Sequence, residues 1–248
     1  MIEESLKPTE RRFDAVVFDL DGTLVDTAPD ILAYLNDMLD ELGRPGLDLE
    51  TMRPMIGDGV RRLLIRGLEA SGGVPDDLDI EALFHRYLER YAAEPVRSSQ
   101  PYEGVVETLE ILMEAGIKLG VCTNKPQVPT DRLLARLGLD RFFGIVIGGD
   151  ALSIKKPDPA HLLAVLERLN VAPVRAALVG DSETDLKTAR SAGTLCILVT
   201  FGYTAIPASD LGADQIIDHY QNLIPTLTRH HRLTATKPAP YSLPNKGD

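Results

Sequence analysis

A repeated order of short apolar run, turn and helical pattern constrains the fold of this chain more than any other feature. The apolar runs show no polar alternation and lie at Phe13–Phe18, Leu119–Cys122, Ile145–Ile147, Ala176–Val179 and Leu195–Val199. Helical patterns separate most of them, at about Val105–Ala115, Pro129–Leu137, Ala160–Leu169 and Glu183–Ala192. Runs of this kind are typical of parallel strands that helices cover on both faces. The sequence therefore predicts an α/β fold with a doubly wound, parallel, Rossmann-like sheet, in which ligands bind at the carboxyl ends of the strands.

The stretch from Thr27 to Val96 departs from this order, because it contains helical patterns and no strand pattern. Three apolar stripes at helical spacing indicate three helices, and the segment Thr27–Asp30 has the form of a capping box at the start of the first. Near the other end of the chain, the sequence becomes rich in proline and poor in apolar residues. We therefore expect a Rossmann-like catalytic core of residues 1–27 and 97–231, an inserted helical cap of residues 28–96 and a mobile tail of residues 232–248.

The formal net charge of the chain is -11 over 248 residues. This charge gives no long-range attraction for nucleic acid or anionic lipid, so we expect neither as a partner. It also repels a phosphorylated substrate, and a phosphate site in this chain must therefore supply its own local positive charge. The charged N-terminal segment and the lack of a long apolar run predict a cytoplasmic protein without a membrane span.

Two carboxylates stand where the first predicted strand ends, in the segment FDLDGTLVDT. Asp19 and Asp21 are separated by one residue, and their mutual repulsion at the end of a buried strand is removed by a divalent cation. Gly22 permits a tight turn after them, and Thr23 adds a hydroxyl group. A plain strand-ending turn is the alternative interpretation, since Asp-Gly is a common turn pair.

A second acidic pair follows the predicted strand Ala176–Val179, in the segment GDSETD. Asp181 stands at the strand end and Asp185 one helical turn later, a spacing at which like charges destabilise a helix. The helix dipole accounts for Asp181 at a helix N-terminus but accounts less well for Asp185. Two acidic strand ends in one sheet predict a shared cation with oxygen ligands, for which Mg²⁺ is suitable.

Two further segments offer groups that bind anions. Thr123 and Asn124 follow the strand Leu119–Cys122, and a hydroxyl with a following amide suits phosphate oxygens, although the pair could also simply begin a turn. Lys155 and Lys156 precede a proline after the strand Ile145–Ile147. A lysine there can supply the positive charge that the acidic surface lacks, and a solvated lysine pair is the alternative.

Taken together, Asp-x-Asp-Gly-Thr, Thr-Asn, Lys-Pro and Gly-Asp-x-x-x-Asp occur in this order at successive strand ends. This order resembles the haloacid dehalogenase superfamily, in its phosphatase branch with a helical cap, over about residues 13–225. Within that branch the segments DLDGTLVDTAPD, IGDGVRRLL, TNKP and GGD with KKPDP are similar to the phosphoglycolate phosphatase group.

The resemblance implies that Asp19 is a nucleophile that forms a phospho-aspartate and that Asp21 is the general acid and base. It also implies a Mg²⁺ ion held by Asp19, Asp181 and the backbone carbonyl of Asp21, with Asp185 orienting the metal shell. The phosphate-binding residues implied in the same way are Gly22, Thr123, Asn124 and Lys156.

The cap contributes a glycine-containing loop and two arginines. Gly57 and Gly59 would let this loop approach a ligand, and Arg61 and Arg62 could bind a substrate carboxylate in bidentate fashion. Exposed helix charges are the alternative interpretation of the arginines.

The predicted activity is hydrolysis of a small phosphomonoester, with 2-phosphoglycolate as the leading substrate, by a monomer or homodimer. Other sugar phosphates, nucleoside monophosphates and pyrophosphate stay open as substrates, and a sugar phosphomutase could use the same residues. Asp21 argues against a dehalogenase, in which that position is not acidic. A receiver-type signalling module would need neither a cap nor a leaving-group acid.

Overall fold

The computed structural model describes residues 13–234, and six of its strands form one parallel sheet. The strands are β1 Ala15–Phe18, β2 Val25–Asp26, β3 Gln100–Pro101, β4 Lys118–Cys122, β5 Ile145–Ile147, β6 Ala176–Gly180, β7 Leu195–Val199 and β8 Gln215–Ile217. The order across the large sheet is β5-β4-β1-β6-β7-β8, and β2 pairs with β3 in a separate antiparallel ribbon. The predicted α/β fold with a doubly wound parallel sheet is therefore confirmed.

Ten α-helices accompany these strands in the described part of the chain. They are α1 Ala28–Glu41, α2 Leu49–Met52, α3 Val60–Ala70, α4 Ile80–Ala93, α5 Val105–Glu114, α6 Gln127–Arg136, α7 Pro159–Leu169, α8 Glu183–Ala192, α9 Ala208–Leu211 and α10 Leu223–Thr234. Helix α10 continues three residues beyond the boundary predicted for the mobile tail. The remainder of that tail, residues 235–248, lies outside the described residues, as do residues 1–12 of the predicted core.

Alternating residues of β1 face two separate parts of the core. Val16 and Phe18 pack into the cluster with α5, α6 and α10, whereas Ala15 and Val17 pack into the cluster with α7 and α8. All four side chains are fully buried. The strand therefore needs apolar residues at every position, which is the physical reason for the missing polar alternation.

The central position of β1 determines which loops meet at one edge of the sheet. It pairs in parallel with β4 on one side and with β6 on the other, so that Phe18 lies beside Val121 and Val179. Strand β5 pairs with β4 in the same direction. The loops that follow β1, β4, β5 and β6 therefore leave the sheet at the same edge, where a parallel sheet binds its ligands.

Residues 28–96, here called the cap, hold helices α1 to α4 and a core of their own. Leu35, Met38, Leu64 and Tyr87 are among its buried side chains. The two chain segments that connect the cap to the sheet run side by side, because β2 pairs with β3. The division of the chain into a catalytic core and a cap domain stays a prediction.

The capping box predicted at Thr27–Asp30 is not formed. Thr27 is the N-cap of α1 but makes no side-chain capping bond, because its hydroxyl donates to Asp21 Oδ1 at 2.7 Å. The carboxylate of Asp30 instead accepts hydrogen bonds from the backbone amides of residues 97–99. The prediction failed because the Thr27 hydroxyl binds a carboxylate six residues earlier and Asp30 binds amides 67 to 69 positions later, and a capping pattern reveals neither contact.

Candidate active site

Three carboxylates converge where the sheet ends. Asp19 directly follows β1 and its N–H donates to the carbonyl oxygen of Val179 at 2.9 Å, while Asp181 follows β6. Oxygen atoms of Asp19, Asp181 and Asp185 all lie within 4.8 Å of one another, and all three residues are buried. The structure thus brings Asp19 together with two acidic residues that lie more than 160 positions later in the chain.

One ammonium group lies inside this cluster. Lys156 is only 2% exposed, and its Nζ lies 2.6 Å from Asp185 Oδ1 and 2.8 Å from Asp19 Oδ1. Burial acts to lower the pKa of Lys156, but the charges of Asp185 and Asp19 outweigh this effect and the pKa is raised. The lysine therefore stays charged and supplies the local positive charge that the acidic chain needs.

The three carboxylates are not balanced by this lysine alone. Burial raises the pKa of Asp19 to about 6, although the charge of Lys156 opposes the shift. Burial, followed by the charges of Asp185 and Asp19, raises the pKa of Asp181 well above its usual range. Asp19 Oδ1 has an ion pair with Lys156 but no hydrogen-bond partner among the described residues. A set of buried, hard oxygen atoms with surplus negative charge fits a divalent metal ion.

Asp185 is fixed by the start of α8. Its Oδ2 accepts hydrogen bonds from the hydroxyl of Ser182 at 2.6 Å and from its N–H at 3.2 Å, and Ser182 in turn caps the helix. This capping box explains locally why an acidic residue stands at that position. Because Oδ1 faces Lys156, the two oxygen atoms of Asp185 connect the helix start to the acidic cluster.

Asp181 is held closely by backbone on two sides. The N–H of Tyr203, in the loop after β7, donates to Asp181 Oδ2 at 2.7 Å. Gly22 has a positive φ of 78°, and a Cβ at that position would lie 2.6 Å from the same oxygen. A Cβ at Gly202 would lie 2.1 Å from the Cβ of Asp181. The sequence analysis missed Gly202 and Tyr203, whose only signal is the segment FGY after the last predicted strand.

Asp21 lies at the edge of the cluster and has two partners of its own. Oδ1 accepts from the hydroxyl of Thr27 at 2.7 Å and from Lys125 Nζ at 3.1 Å, and Lys125 Nζ is 3.4 Å from Oδ2. Lys125 was not predicted as a site residue, although it belongs to the TNKP segment. Asp21 therefore has an ion pair with a second lysine, Lys125.

Thr123 and Asn124 follow β4 and lie close to the acidic cluster. Thr123 is buried, and its Oγ1 accepts from the N–H of Lys125 at 3.2 Å, so that its own proton can be donated to another acceptor. Asn124 Nδ2 donates to the carbonyl oxygen of Lys156 at 3.0 Å and to that of Gly57 at 2.9 Å. Asn124 therefore connects two loops of the site with the cap.

A cavity that is partly open to solvent lies between the cap and the sheet edge. Asp19, Asp21, Thr123 and Asn124 line it from the sheet side, and apolar and tyrosine side chains of α3 and α4 line it from the cap side. Lys125 is the one lysine or arginine among its lining residues in the described part of the chain. The cavity therefore combines two carboxylates, a hydroxyl group, an amide and an ammonium group with a largely apolar roof.

The predicted glycine loop of the cap reaches this cavity. Gly57 and Gly59 both line it, with positive φ angles of 112° and 93°. The carbonyl oxygens of Gly57 and Asp58 accept from Asn124 and Lys155, so the loop is bound to the sheet side.

Arg61 and Arg62, in contrast, do not line the cavity. Arg61 forms an ion pair with Glu81 and lies over the ring of Phe84, 4.5 Å from its centroid. Arg62 Nη1 lies 3.7 Å from Asp58 Oδ2, and its side chain is largely exposed. Both guanidinium groups are turned to partners within the cap, because α3 presents its apolar face to the cavity. The expected carboxylate-binding pair is therefore not found at the site.

Comparisons with known proteins identify the family. The model of the haloacid dehalogenase-like hydrolase family matches residues 16–199, which is most of the chain. The chain belongs to this family. Within the haloacid dehalogenase-like hydrolases it is 39% identical over 211 residues to a phosphoglycolate phosphatase of Agrobacterium fabrum, covering 85% of this chain and 91% of that relative. It is 43% identical over 205 residues to a phosphoglycolate phosphatase of Caulobacter vibrioides, covering 83% and 86% of the two chains.

Solved structures of this family have the same fold. A protein described as a predicted phosphoglycolate phosphatase from Haemophilus somnus superposes with a TM-score of 0.82 at 29% identity, covering 87% of this chain and 98% of that one. CbbY from Rhodobacter sphaeroides, in complex with phosphate, gives a TM-score of 0.73 at 30% identity over 85% and 96% of the two chains. The family and these relatives identify the chain as a phosphatase, a hydrolase of phosphate esters.

No helix among residues 13–234 has the length and apolar character needed to cross a membrane.

Proposed function

We propose that this phosphatase is Mg²⁺-dependent and hydrolyses 2-phosphoglycolate through a phospho-aspartate on Asp19. The observation that carries the proposal is the convergence of Asp19, Lys156, Asp181 and Asp185 within one buried cluster beside a small cavity. Asp19 is the member of that cluster which also lines the cavity, so among the three carboxylates of the cluster it is the one that a bound phosphate ester meets.

In the first step, an oxygen of Asp19 attacks phosphorus, and the bond between phosphorus and the ester oxygen breaks. Lys156 fixes Asp19 through Oδ1 and offsets part of the negative charge that the phosphoryl group brings. The hydroxyl of Thr123, in the loop after β4, donates a hydrogen bond to a phosphate oxygen. The aspartyl phosphate then reacts with water, which returns Asp19 and releases inorganic phosphate.

Asp21 transfers the protons in both steps. It gives a proton to the departing alkoxide in the first step and takes one from the attacking water in the second. Asp21 lines the same cavity as Asp19, which supports a role for it toward the leaving group. Thr27 and Lys125 hold its carboxylate from two directions.

The metal ion would be held by Asp19, Asp181 and the backbone carbonyl of Asp21, with Asp185 orienting the metal shell. Mg²⁺ supplies charge neutralisation for the phosphoryl group and for the carboxylates around it. The oxygen-only donor set supports this choice among divalent ions.

The proposed substrate rests on the curated relatives and on the size of the site. Two relatives at 39% and 43% identity carry the name phosphoglycolate phosphatase. The cavity is closed on one side by Leu63, Tyr87 and Leu88 of the cap, which favours a small phosphate ester over a polymer or a protein. A cytoplasmic location and a monomeric or dimeric state stay predictions.

The test is a panel of phosphate esters assayed for released phosphate, with Mg²⁺ and again after chelation. The panel contains 2-phosphoglycolate, hexose phosphates, nucleoside monophosphates and pyrophosphate. We expect the highest kcat/KM for 2-phosphoglycolate, loss of turnover on chelation, and a loss of about 10³-fold or more in D19N. Full activity of D19N would refute the covalent route. A higher kcat/KM for a sugar phosphate than for 2-phosphoglycolate would make the sugar phosphate the preferred substrate.

A further inference from the structure

Lys125 contacts the cap as well as the carboxylate of Asp21. Its side chain is 5% exposed, although a buried ammonium group is costly unless its charge is compensated. The compensation comes from three groups: both oxygens of Asp21, the hydroxyl of Tyr91 at 3.0 Å and the face of the Tyr91 ring, 4.2 Å from Nζ to the centroid.

These partners belong to separate parts of the fold. Asp21 lies in the loop after β1, Lys125 in the loop after β4, and Tyr91 in α4 of the cap. The backbone of Lys125 is itself fixed, because its N–H donates to Thr123 Oγ1 and its carbonyl oxygen accepts from the N–H of Gly149 at 2.8 Å. Lys125 is therefore a short, anchored bridge between the cap and the carboxylate of Asp21.

We infer that Lys125 is a positioning residue that holds Asp21 for proton transfer and makes that position depend on contact with Tyr91 of the cap. This inference rests on the proposed function of Asp21 as general acid. Thr27 binds one oxygen of Asp21, whereas Lys125 contacts both oxygens and so restricts the carboxylate more than a single contact does. When the cap is in place, Tyr91 fixes the ammonium group, and the ammonium group fixes the acid.

The dependence of kcat/KM on the leaving group tests this role, because kcat/KM includes the step in which the ester bond breaks. A series of substituted phenyl phosphates keeps the size nearly constant while the basicity of the leaving phenolate changes. A poor leaving group needs the acid, and 4-nitrophenolate hardly needs it. The variants are K125M, which keeps the length of the side chain without its charge, Y91F, and D21N as the reference for loss of the acid.

We expect K125M to lose about 10- to 100-fold in kcat/KM on phenyl phosphate and less than about 3-fold on 4-nitrophenyl phosphate, in the same direction as D21N. In Y91F the dependence of kcat/KM on leaving-group basicity should become steeper in the same sense, by a smaller factor. This variant also provides the test if thermal unfolding shows that K125M is not folded. R132M is the control, since Arg132 also joins core and cap, through the carbonyl oxygen of Ala92 at 2.6 Å, without contacting Asp21.

An equal loss on every ester in K125M and Y91F would overturn the inference, as would a change confined to KM for 2-phosphoglycolate, which would make Lys125 a substrate-binding group. A wild-type protein that hydrolyses no ester would instead refute the proposed function. If the wild-type enzyme turns over normally but kcat/KM of D21N depends no more steeply on leaving-group basicity, Asp21 is not the general acid. The inference about Lys125 then fails with it.

Discussion

The carboxylate of Asp30, in the first turn of the cap, and Ser99, in the returning segment, are joined by two hydrogen bonds. The N–H of Ser99 donates to Asp30 Oδ2 at 2.9 Å and its hydroxyl donates to the same oxygen at 2.5 Å. The N–H of Arg97 and that of Ser98 also donate to Asp30, which is 1% exposed. One buried carboxylate thus joins the two ends of the cap.

Replacement of Asp30 by Ala should therefore lower stability, because it leaves three backbone amides without their acceptor. We expect a loss of about 2–4 kcal/mol in the free energy of unfolding, measured by urea denaturation. D37N is the matched control on the same helix, since Asp37 is half exposed and lies 3.6 Å from Arg97 in a surface pair, and it should change stability by less than about 1 kcal/mol. Equal effects of D30A and D37N would contradict the structural role of Asp30.

Tyr203 connects Asp181 with the first helix of the cap. Its N–H binds Asp181, and its hydroxyl accepts from the N–H of Thr27 at 2.7 Å and from that of Ala28 at 2.9 Å while donating to Asp26 at 2.7 Å. Y203F should lower the free energy of unfolding by about 1–3 kcal/mol, because buried donors lose their acceptor. The Mg²⁺ affinity, measured by calorimetry, should stay within about 3-fold, since the backbone contact to Asp181 is kept. A large loss of affinity in Y203F would show that the hydroxyl, too, supports the metal site.

Gly22 and Gly43 separate two effects of a left-handed backbone. Both have positive φ angles, of 78° and 67°, but an added Cβ would meet Asp181 and Tyr203 at Gly22 and would have no atom within 4 Å at Gly43. G43A should cost about 1 kcal/mol in stability, through backbone strain alone, and should keep full activity.

G22A carries the same backbone strain and also displaces Asp181, so kcat/KM should fall by about 10²-fold or more. Phosphate release on 2-phosphoglycolate measures this difference. If G22A and G43A have equal activity, the close approach of Gly22 to Asp181 is without consequence for the reaction.

The raised pKa of Asp19 predicts how the stability of the metal-free protein depends on pH. Because its pKa is about 6 in the folded protein and about 3.9 in the unfolded chain, the folded state binds the proton more tightly. The protonated carboxyl group of Asp19 therefore contributes to the free energy of unfolding. This contribution is fully present below about pH 4 and is lost as the pH rises through about 6. Asp181 shifts in the same direction.

The variant D19N removes this contribution. Relative to wild type, its free energy of unfolding in the presence of a chelator should increase as the pH rises from about 4 to about 7, by at most about 3 kcal/mol. Saturating Mg²⁺ should stabilise wild type more at pH 7 than at pH 5. A difference between D19N and wild type that does not change with pH would contradict the raised pKa.

Local patterns determined the class of fold and most of its elements. The predicted bounds of the strands Ile145–Ile147 and Leu195–Val199 and of the helix Glu183–Ala192 agree with the structure, since burial on both faces and helical periodicity are written in consecutive residues. Strand β8 and the ribbon of β2 and β3 were not predicted. Strand β8 has two apolar residues, and β2 and β3 have two residues each in a ribbon apart from the large sheet, so that few apolar side chains mark them.

The sequence by itself determined which residue types follow each strand. Because the carboxyl ends of parallel strands meet at one edge of the sheet, Asp19, Lys156 and Asp181 could be expected together. Only the tertiary structure decided which groups bind each other: Lys125 reaches Asp21 over 104 positions, Tyr203 reaches Asp26 over 177, and Arg61 pairs within the cap instead of entering the cavity. Such pairings depend on the packing of whole elements in space, and a carboxylate or a lysine has the same local sequence signal whichever partner it finds.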